Sequence, residues 1–478
     1  MKLIRFYAII VALILFLSAC SDGGEIHRDE PDIRDTPDAS GVLAEQPSEV
    51  ISEPEAVTEY ATITERLREK VRLKLLADFD YLVAEIEANM PLSGVIYRRV
   101  GIDLTTHFAT MCTFINEATN FGQEAETIEE MERAGADFLF SYLHSQTERK
   151  FEGLGHLRPK SHAFHVGMVV EQRRFLDDEE NIITPLAIEY FDTFTDPAAL
   201  WFYDLDVSEL DFNDERFGMF RRDYRAIETK IHTQDKIAWI NISHAFNDSD
   251  YDRENLLPFF KEIQNYPHLI IDLRGHRGGF QNHFLEVIME PLLAAPVYMQ
   301  THSFFMDGER AQRTMESYMI LYNEMRAKEM SDVINIYDAA DYVRSNNMTE
   351  FNQQDLEMLT HVVEASSEIE PMKDGYPFNG KIWVLVDRGT ASAAEAAVMM
   401  VMSSGFATVV GTPTAGIMPS DVAFVLLPNT GIIFRMDIGY FTDASGRSLE
   451  EFGISPDIHN REGLNAEQTV LELISEGN

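Results

Sequence analysis

Ser392 is the residue of this chain whose type and position best suit nucleophilic chemistry. It follows an apolar run, Ile382 to Val386, that predicts a buried strand, and it stands where a helix over 391–404 is predicted to begin. A hydroxyl at this junction lies beside the unpaired N–H groups of the helix N-terminus, which can stabilise a developing oxyanion. A serine or threonine before a helix is also a common N-cap, and Thr390 could fill that role.

A serine nucleophile needs a base, and three histidines occur in the short stretch 156–165. His156 lies in Gly-Leu-Gly-His-Leu, where the glycines predict a loop or the start of a strand. His162 and His165 follow in SHAFHVGMVV, whose alternation predicts a strand. Each histidine taken alone would more often be structural or solvated than catalytic. There is no HExxH and no His paired with Cys, so we expect no metal site.

A glycine-rich turn is the third element that could contact a substrate. Residues 237–243 and 268–273 predict strands that flank a helix, and this order implies parallel strands with a right-handed crossover. The second strand runs directly into Arg-Gly-His-Arg-Gly-Gly, residues 274–279. Glycines after a parallel strand allow the backbone to approach a ligand closely. The turn is not GxGxxG, so a dinucleotide site is not expected.

The N-terminus carries features of an export signal. Lys2 and Arg5 precede an apolar segment over residues 6–17, which is too short to span a bilayer comfortably. The ending Leu-Ser-Ala-Cys at Cys20 resembles a bacterial lipoprotein lipobox, which implies cleavage before Cys20 and lipidation of its thiol. The alternative is an ordinary secretory signal with a chance cysteine. Either interpretation predicts an extracytoplasmic protein, and the first predicts a lipid anchor to a bacterial membrane.

Composition limits the possible partners of the folded body. The 478-residue chain has 45% hydrophobic residues, as expected for a globular protein, and a formal net charge of -41. This charge argues against nucleic acid as a partner and against binding of anionic lipid heads by the body. After removal of a signal peptide, Cys112 is the one remaining thiol, so no internal disulfide can form. Its apolar neighbours predict packing within a helix.

The chain divides into segments of different composition. Residues 1–20 are the signal peptide, and 21–58 are predicted to be a disordered acidic tether. Helical periodicity over 59–150 predicts a helical N-terminal domain. Residues 151–236 connect it to a core over 237–478, which contains a mostly helical insertion at 305–375 that we interpret as a cover for the site. Within the core, 421–427 and 431–438 predict a hairpin at Gly431, and 445–458 predicts a turn.

Four motifs in order give this chain a family resemblance. They are IIDLRGHRGG, TASAAE, VVGTPTAG and LEEFGISPDI, and they fall within residues 237–460. Together they resemble the C-terminal processing (tail-specific) serine peptidases, most closely the branch typified by the tricorn core and the retinoid-binding-protein repeats. The resemblance implies an α/β fold with a ClpP/crotonase-like core of ββα units, joined here to the N-terminal helical domain and the helical insertion.

The resemblance assigns roles to individual residues. Ser392 matches the nucleophile. The Ser–Lys branch places its lysine after the T-x-G of the later motif, where this chain has Ile417, and no lysine follows Arg388. The other branch uses a histidine, which His156 matches, and orients it with a glutamate before a G-[VI]-x-P-D turn. Glu450 matches that glutamate, with Glu451 as a rival. A carboxylate there would fix the histidine tautomer and stabilise the imidazolium.

The resemblance also suggests an oxyanion hole. The backbone N–H groups of Ala393 and of Gly278 or Gly279 are the candidate donors. His276 stands where the family usually has asparagine, so it could hold the turn or face the substrate. No PDZ-like segment is recognisable, which argues against recognition of C-terminal tails.

The function expected from the sequence is an exported serine endopeptidase that acts on protein or peptide substrates through an acyl-enzyme on Ser392, with no cofactor. One alternative is a catalytically inactive lipoprotein that binds a ligand or peptide on the same fold. A crotonase-like acyl-CoA enzyme is a second alternative, which export and the acidic charge disfavour. If His156 is not the base, the remaining candidates are His162, His165 and His276.

Overall fold

The structure is a computed structural model. The residues that it describes are 54–147, 157–177, 181–210, 227–233, 236–243, 246, 249–280, 282–327, 332–418 and 421–477. The predicted signal peptide, Cys20, most of the predicted tether and His156 therefore lie outside the described residues.

Helices and strands alternate through much of the described chain. The strands are β1 (Arg158–Pro159), β2 (Glu228–Thr233), β3 (Ile237–Asn241), β4 (His268–Asp272), β5 (Val297–Phe305), β6 (Val333–Asp338), β7 (His361–Ile369), β8 (Lys381–Val386), β9 (Thr408–Gly411), β10 (Val422–Leu426), β11 (Ile433–Asp437) and β12 (Ile458–His459). The helices are α1 (Pro54–Asn89), α2 (Ser93–Val100), α3 (Leu104–Glu117), α4 (Ile128–Gln146), α5 (His162–Asp177), α6 (Pro185–Thr195), α7 (Pro197–Phe202), α8 (Ser249–Ile263), α9 (Glu290–Leu292), α10 (Glu309–Ala327), α11 (Ala339–Ser345), α12 (Gln353–Leu356), α13 (Ala393–Ser404), α14 (Leu449–Phe452) and α15 (Ala466–Ser475). A 3-10 turn spans Val207–Glu209 and a π-helical turn spans Leu285–Met289.

A six-stranded sheet in the order β12-β9-β8-β4-β3-β2 forms the centre of the core. Its neighbours run parallel except for β2, which is antiparallel to β3. The strands β3, β4 and β8 are almost wholly buried, as expected for parallel strands covered on both faces. Alternate residues pack on opposite sides: Val384 contributes to the cluster with α8 and α13, and Trp383 to the cluster with α15.

The predicted strand–helix–strand units are confirmed. The unit β3–α8–β4 and the unit β8–α13–β9 each join neighbouring parallel strands. The helix α13 is mostly buried and ends at Gly405, whose φ of 68° is the left-handed conformation that favours glycine. The predicted hairpin is also confirmed, because β10 pairs antiparallel with β11.

The N-terminal region is helical, as predicted. Helices α1 to α4 share one apolar cluster with the β5-β7-β6 sheet and with β10 and β11, so the helical region packs directly on the core. Cys112 is half-buried against this cluster in α3, which confirms its predicted packing role. The expected α/β class with a helical N-terminal region and a central sheet is therefore confirmed. No helix in the described part of the chain is long and apolar enough to cross a bilayer.

Three local predictions need correction. The segment 161–170 was predicted as a strand, but most of it is helical, in α5. Short apolar runs do not distinguish a strand from a buried helix, and here Phe164 and Met168 pack against α6 and α7. The insertion 305–375 contains helices, but it also contributes β6 and β7, which pair antiparallel. The turn predicted over 445–458 includes the short helix α14 before Gly453.

Candidate active site

The candidate site is built from loops that follow three adjacent parallel strands. Residues 274–279 follow β4, residues 387–392 follow β8 and residues 412–417 follow β9. Because β4, β8 and β9 are parallel neighbours, their carboxyl ends meet at one edge of the sheet. Backbone hydrogen bonds join the loops: Ala391 N–H donates to His276 O, Ala415 N–H to Thr390 O and Ser392 N–H to Ile417 O, each at 2.9 Å.

Ser392 has a strained backbone at the start of α13. Its φ of 58° and ψ of -129° are rare for a residue with a side chain, and such strain is typical of functional positions. Its side chain makes no capping hydrogen bond, and its buried Oγ has no hydrogen-bond partner among the described residues. Thr390 does not cap the helix either, because its hydroxyl donates to Leu273 O at 2.9 Å. The Ser392 hydroxyl is therefore not committed to holding the helix.

Gly278 lies directly against the nucleophile turn. Its φ is 92°, and a Cβ added to it would lie 2.7 Å from the Ala393 nitrogen and 2.9 Å from the Ser392 Cβ. Only glycine therefore leaves open the space over the Ala393 N–H. The Gly278 N–H itself donates to His276 Nδ1 at 3.0 Å.

Gly279 is held by a second backbone contact. It bridges Phe246, and a Cβ added to it would lie 2.4 Å from Phe246 O. Flanking bonds fix the turn, because Phe246 N–H donates to Gly278 O at 3.0 Å and Phe280 N–H donates to Phe246 O at 2.6 Å. The Gly279 N–H is not among the backbone donors that hold this turn to the described chain.

Glu450 is buried at the start of α14. Phe441 N–H donates to its Oε1 at 3.2 Å, and the Ser448 hydroxyl donates to its Oε2 at 3.3 Å. Burial raises the pKa of Glu450 to about 8, with a further contribution from Asp437 and against the lowering effect of the hydrogen bonds. Glu450 is therefore largely protonated at neutral pH in the resting structure, and an adjacent imidazolium would favour its ionised form.

The rival glutamate has a different environment. Glu451 pairs with Arg98, whose Nε lies 2.8 Å from Glu451 Oε2. The same arginine also binds Asp355 through both of its terminal nitrogens. Glu451 is thus already engaged in an ion pair, whereas the donors to the carboxyl group of Glu450 within the described chain are the neutral Phe441 N–H and Ser448 hydroxyl.

The four candidate histidines differ in their position relative to Ser392 and in their burial. His156 lies outside the described residues. His165 is buried in α5, with ring centroids 4.4 Å from Tyr203 and 5.6 Å from Phe194, and burial lowers its pKa to about 3. The His165 ring therefore stays neutral because it is buried, and its environment is that of a core residue. His162 is exposed at the start of α5. Of His162, His165 and His276, only His276 lies in the loops around Ser392, and its ring centroid is 4.1 Å from that of Phe246.

The structure adds Glu395, which the sequence analysis did not select. This fully buried carboxylate accepts from the N–H groups of Gly416 and Ile417 at 2.9 Å, from the Thr414 hydroxyl at 2.5 Å and from Ser392 N–H at 3.2 Å. Burial raises the pKa of Glu395 to about 7, although these donors lower it. The spacing Ser-x-x-Glu over 392–395 is the signal of a capping box and could have identified this residue.

No group of three or more His, Cys, Asp or Glu side chains in the described ranges is placed to hold a metal ion. The described site instead offers a hydroxyl, backbone donors and buried carboxyl groups. These are the parts that acyl transfer through a serine requires, apart from the base.

Comparison with solved structures gives distant similarities. Mature CPAF in complex with lactacystin is 12% identical, with 85% of this chain and 97% of that chain covered and a TM-score of 0.45. A lipoprotein from Streptococcus agalactiae is 13% identical, with 86% and 96% covered and a TM-score of 0.39. The tricorn protease is 14% identical, with 50% and 18% covered and a TM-score of 0.27. All three TM-scores are below 0.5.

Comparison of sequences points to one family. No curated protein sequence matches the chain. Residues 236–460 match the family model of peptidase family S41. The matched range begins with β3 and includes all three loops around Ser392 as well as Glu450. Residues 236–460 are therefore the part of this chain that is similar to peptidase family S41.

Proposed function

We propose that this protein is a serine endopeptidase with Ser392 as its nucleophile. The observation that carries the proposal is the position of Ser392 within the S41-matching region. Its strained backbone places an unpartnered hydroxyl at the N-terminus of α13, beside a glycine whose lack of a Cβ avoids a clash with the Ala393 nitrogen. A hydroxyl next to backbone N–H donors is the arrangement needed to attack a carbonyl and to stabilise the resulting oxyanion.

The proposed reaction proceeds through an acyl-enzyme. The Ser392 Oγ attacks the peptide carbonyl while a histidine, assigned to His156, accepts the hydroxyl proton. The negative oxygen of the tetrahedral intermediate accepts hydrogen bonds from Ala393 N–H and from Gly279 N–H, or from Gly278 N–H once its bond to His276 is broken. The C–N bond then breaks, and the amine leaves with the proton from the histidine. In deacylation, water attacks the ester carbonyl while the histidine accepts its proton. The C–O bond to Ser392 then breaks, and the histidine returns the proton to the serine oxygen.

The assignment of His156 is supported by the strand that follows it. β1 begins two residues after His156 and pairs antiparallel with β11, with Arg158 opposite Arg435. Asp437, the last residue of β11, is close enough to Glu450 for its charge to contribute to the raised pKa of that carboxyl. The N-terminal end of β1 is thus the end that faces Asp437, on the Glu450 side of β11. A Ser–His–Glu arrangement of the tricorn-like branch is therefore the one that we propose.

A catalytically inactive binding protein on the same fold is the second candidate function. Two features of the resting structure favour it. The Gly278 N–H is already occupied by His276, and Glu450 has a pKa of about 8, which leaves it mostly neutral at pH 7. A binding protein would retain peptides without cleaving them, so only the peptidase would produce new peptide termini.

The decisive test of function is a digest of a complex peptide mixture by the purified chain from residue 21, analysed by mass spectrometry. We expect new peptide termini with a consistent side-chain preference. A fluorophosphonate probe should also label the protein, because a reactive serine displaces fluoride from phosphorus. Absence of both cleavage and labelling, together with retention of intact peptides, would reject the peptidase and favour the binding protein.

We further propose that the protein is exported and anchored by a lipid on Cys20, on the basis of the signal-like residues 1–20. In bacteria fed a labelled fatty acid, the wild-type chain should incorporate label and remain with membranes. Cys20→Ser should lose the label and leave the membrane fraction, because a single lipidated thiol is the predicted anchor. Cys112→Ser is the matched control and should keep both properties. Equal labelling of wild type and Cys20→Ser would contradict the lipoprotein assignment.

A further inference from the structure

The loop of residues 414–417, here called the 414–417 loop, lies between the nucleophile and the segment that carries Glu450. On one side, Ile417 O accepts from Ser392 N–H at 2.9 Å. On the other side, a Cβ added to Gly416 would lie 2.9 Å from Glu450 O. Thr414 N–H donates to Ile454 O at 3.1 Å, which adds a further bond to the same segment. A shift of this loop would therefore move both candidate catalytic groups.

One face of the loop is held by a buried carboxyl group. Glu395 accepts the N–H groups of Gly416 and Ile417, each at 2.9 Å, and the Thr414 hydroxyl. The same carboxylate accepts Ser392 N–H at 3.2 Å. It thus connects the loop to the backbone of the nucleophile from within α13.

The other face is held by a positive charge from the helical N-terminal region. Arg99, at the end of α2, donates through Nη2 to Ala415 O at 3.2 Å and through Nη1 to Gly416 O at 3.3 Å. Its Nη1 also donates to Glu450 O. A planar guanidinium with five N–H donors is suited to binding several carbonyls at once.

The guanidinium of Arg99 and the carboxyl group of Glu395 bind the same peptide groups. The group that joins Ala415 to Gly416 directs its carbonyl to Arg99 and its N–H to Glu395. The next group, from Gly416 to Ile417, is oriented in the same way. A charged donor at the oxygen and a carboxyl acceptor at the N–H polarise an amide in the same direction, so the two sets of hydrogen bonds strengthen each other.

We propose that Arg99 and Glu395 are positioning residues that hold the 414–417 loop between them and thereby align Ser392 with Glu450. The inference rests on the proposed function, because it assigns both residues to the geometry of that same site. It also makes α2 a part of the catalytic unit, although the family match begins only at residue 236. Arg98 provides a built-in comparison, since it contacts Glu451 and Asp355 and makes none of the loop contacts described for Arg99.

The test uses the full chain carrying Arg99→Met, Arg99→Lys, Glu395→Gln or, as the matched control, Arg98→Met. Hydrogen exchange would follow the amides of Gly416 and Ile417, and steady-state kinetics would follow one peptide found in the digest. We expect Arg99→Met and Glu395→Gln to speed exchange and to lower kcat about 10- to 100-fold with a small change in KM, because the loss is in alignment. Arg99→Lys should recover part of kcat. Arg98→Met should lower stability, because it leaves the buried Asp355 without its ion pair. Its kcat should stay within about twofold of wild type, because the contacts of Arg99 and Glu395 with the loop remain in place.

Unchanged exchange in both Arg99→Met and Glu395→Gln would overturn the proposal. So would faster exchange with wild-type kcat, because the two residues would then be merely structural. An equal loss of kcat in Arg98→Met would also overturn it, since the effect would not depend on the loop. If the wild-type protein neither cleaves peptides nor reacts with a fluorophosphonate, the proposed function fails, while the exchange comparison still decides whether the loop is held by these charges.

Discussion

Ser392→Ala should abolish peptide cleavage and fluorophosphonate labelling while leaving the fold intact. The variant removes the unpartnered Oγ, so it breaks no hydrogen bond within the described chain. Alanine must adopt the same φ of 58°, so it keeps the strain and adds none. Removing a serine nucleophile from a triad lowers kcat by about 10³-fold or more. Rates on one digest-derived peptide, with thermal unfolding as the check on folding, would measure the effect.

Ser404→Ala is the matched control for this prediction. Ser404 lies at the other end of α13 and bonds only to carbonyls of its own helix, including Met400 O at 2.6 Å. We expect it to retain the wild-type rate. Cleavage by Ser392→Ala at the wild-type rate would show that another residue is the nucleophile or that a contaminant is responsible.

The assigned base should behave like the nucleophile in the same assay. His156→Ala should lose cleavage to a similar extent, because serine and histidine of a triad act as a unit. His162→Ala, with its exposed side chain, should keep activity. If His276→Ala is the variant that loses activity while His156→Ala does not, the base has been assigned to the wrong residue.

Gly278→Ala should have the second-largest effect, with kcat lowered about 100-fold or more. Its added Cβ would lie 2.7 Å from the Ala393 nitrogen, in the space where the oxyanion is expected to bind. Loss of one oxyanion donor typically costs about 10²- to 10³-fold in kcat. The same peptide assay measures the loss, and the rate of probe labelling should fall with it.

Gly275→Ala controls for backbone strain in the same turn. Gly275 has a φ of +72°, close to the +92° of Gly278, but a Cβ added to it would meet nothing within 4 Å. Both variants should lose about 1–2 kcal/mol of stability from the positive φ. Gly278→Ala should lose more than Gly275→Ala, because its Cβ would also clash with the Ala393 nitrogen. Only Gly278→Ala should lose catalysis. Equal activity of the two alanine variants would exclude this space as the oxyanion site.

Local patterns in the sequence predicted the central part of the fold well. The apolar runs at 237–243, 268–273 and 382–386 are continuous because their strands are buried on both faces, which makes them easy to recognise. The helix after Ser392 is rich in alanine and ends at a glycine, so its position was also predictable. Predictions were weaker where short apolar runs lacked a clear period, as in α5 and β7.

The family resemblance placed Ser392 and the glycine-rich turn in one site, and the structure shows why they meet. Loops at the carboxyl ends of adjacent parallel strands lie together, so the order of β4 and β8 in the sheet brings residues 274–279 to Ser392. The spacing Ser-x-x-Glu also predicts that Glu395 forms part of a capping box. It does not predict the contacts of Glu395 with Gly416 and Ile417.

Strand and helix periodicities are local properties, so they were sufficient to predict the class of fold and to mark Ser392 as a candidate nucleophile at a strand–helix junction. Long-range packing had to be seen to find the strained conformation of Ser392, the burial that raises the pKa of Glu450 and the contact of Arg99 with the 414–417 loop. Arg99 looks in sequence like any basic residue at the end of a helix, beside Arg98. Its partners lie more than 300 residues away, and contacts over that separation are fixed by packing, which no local pattern encodes.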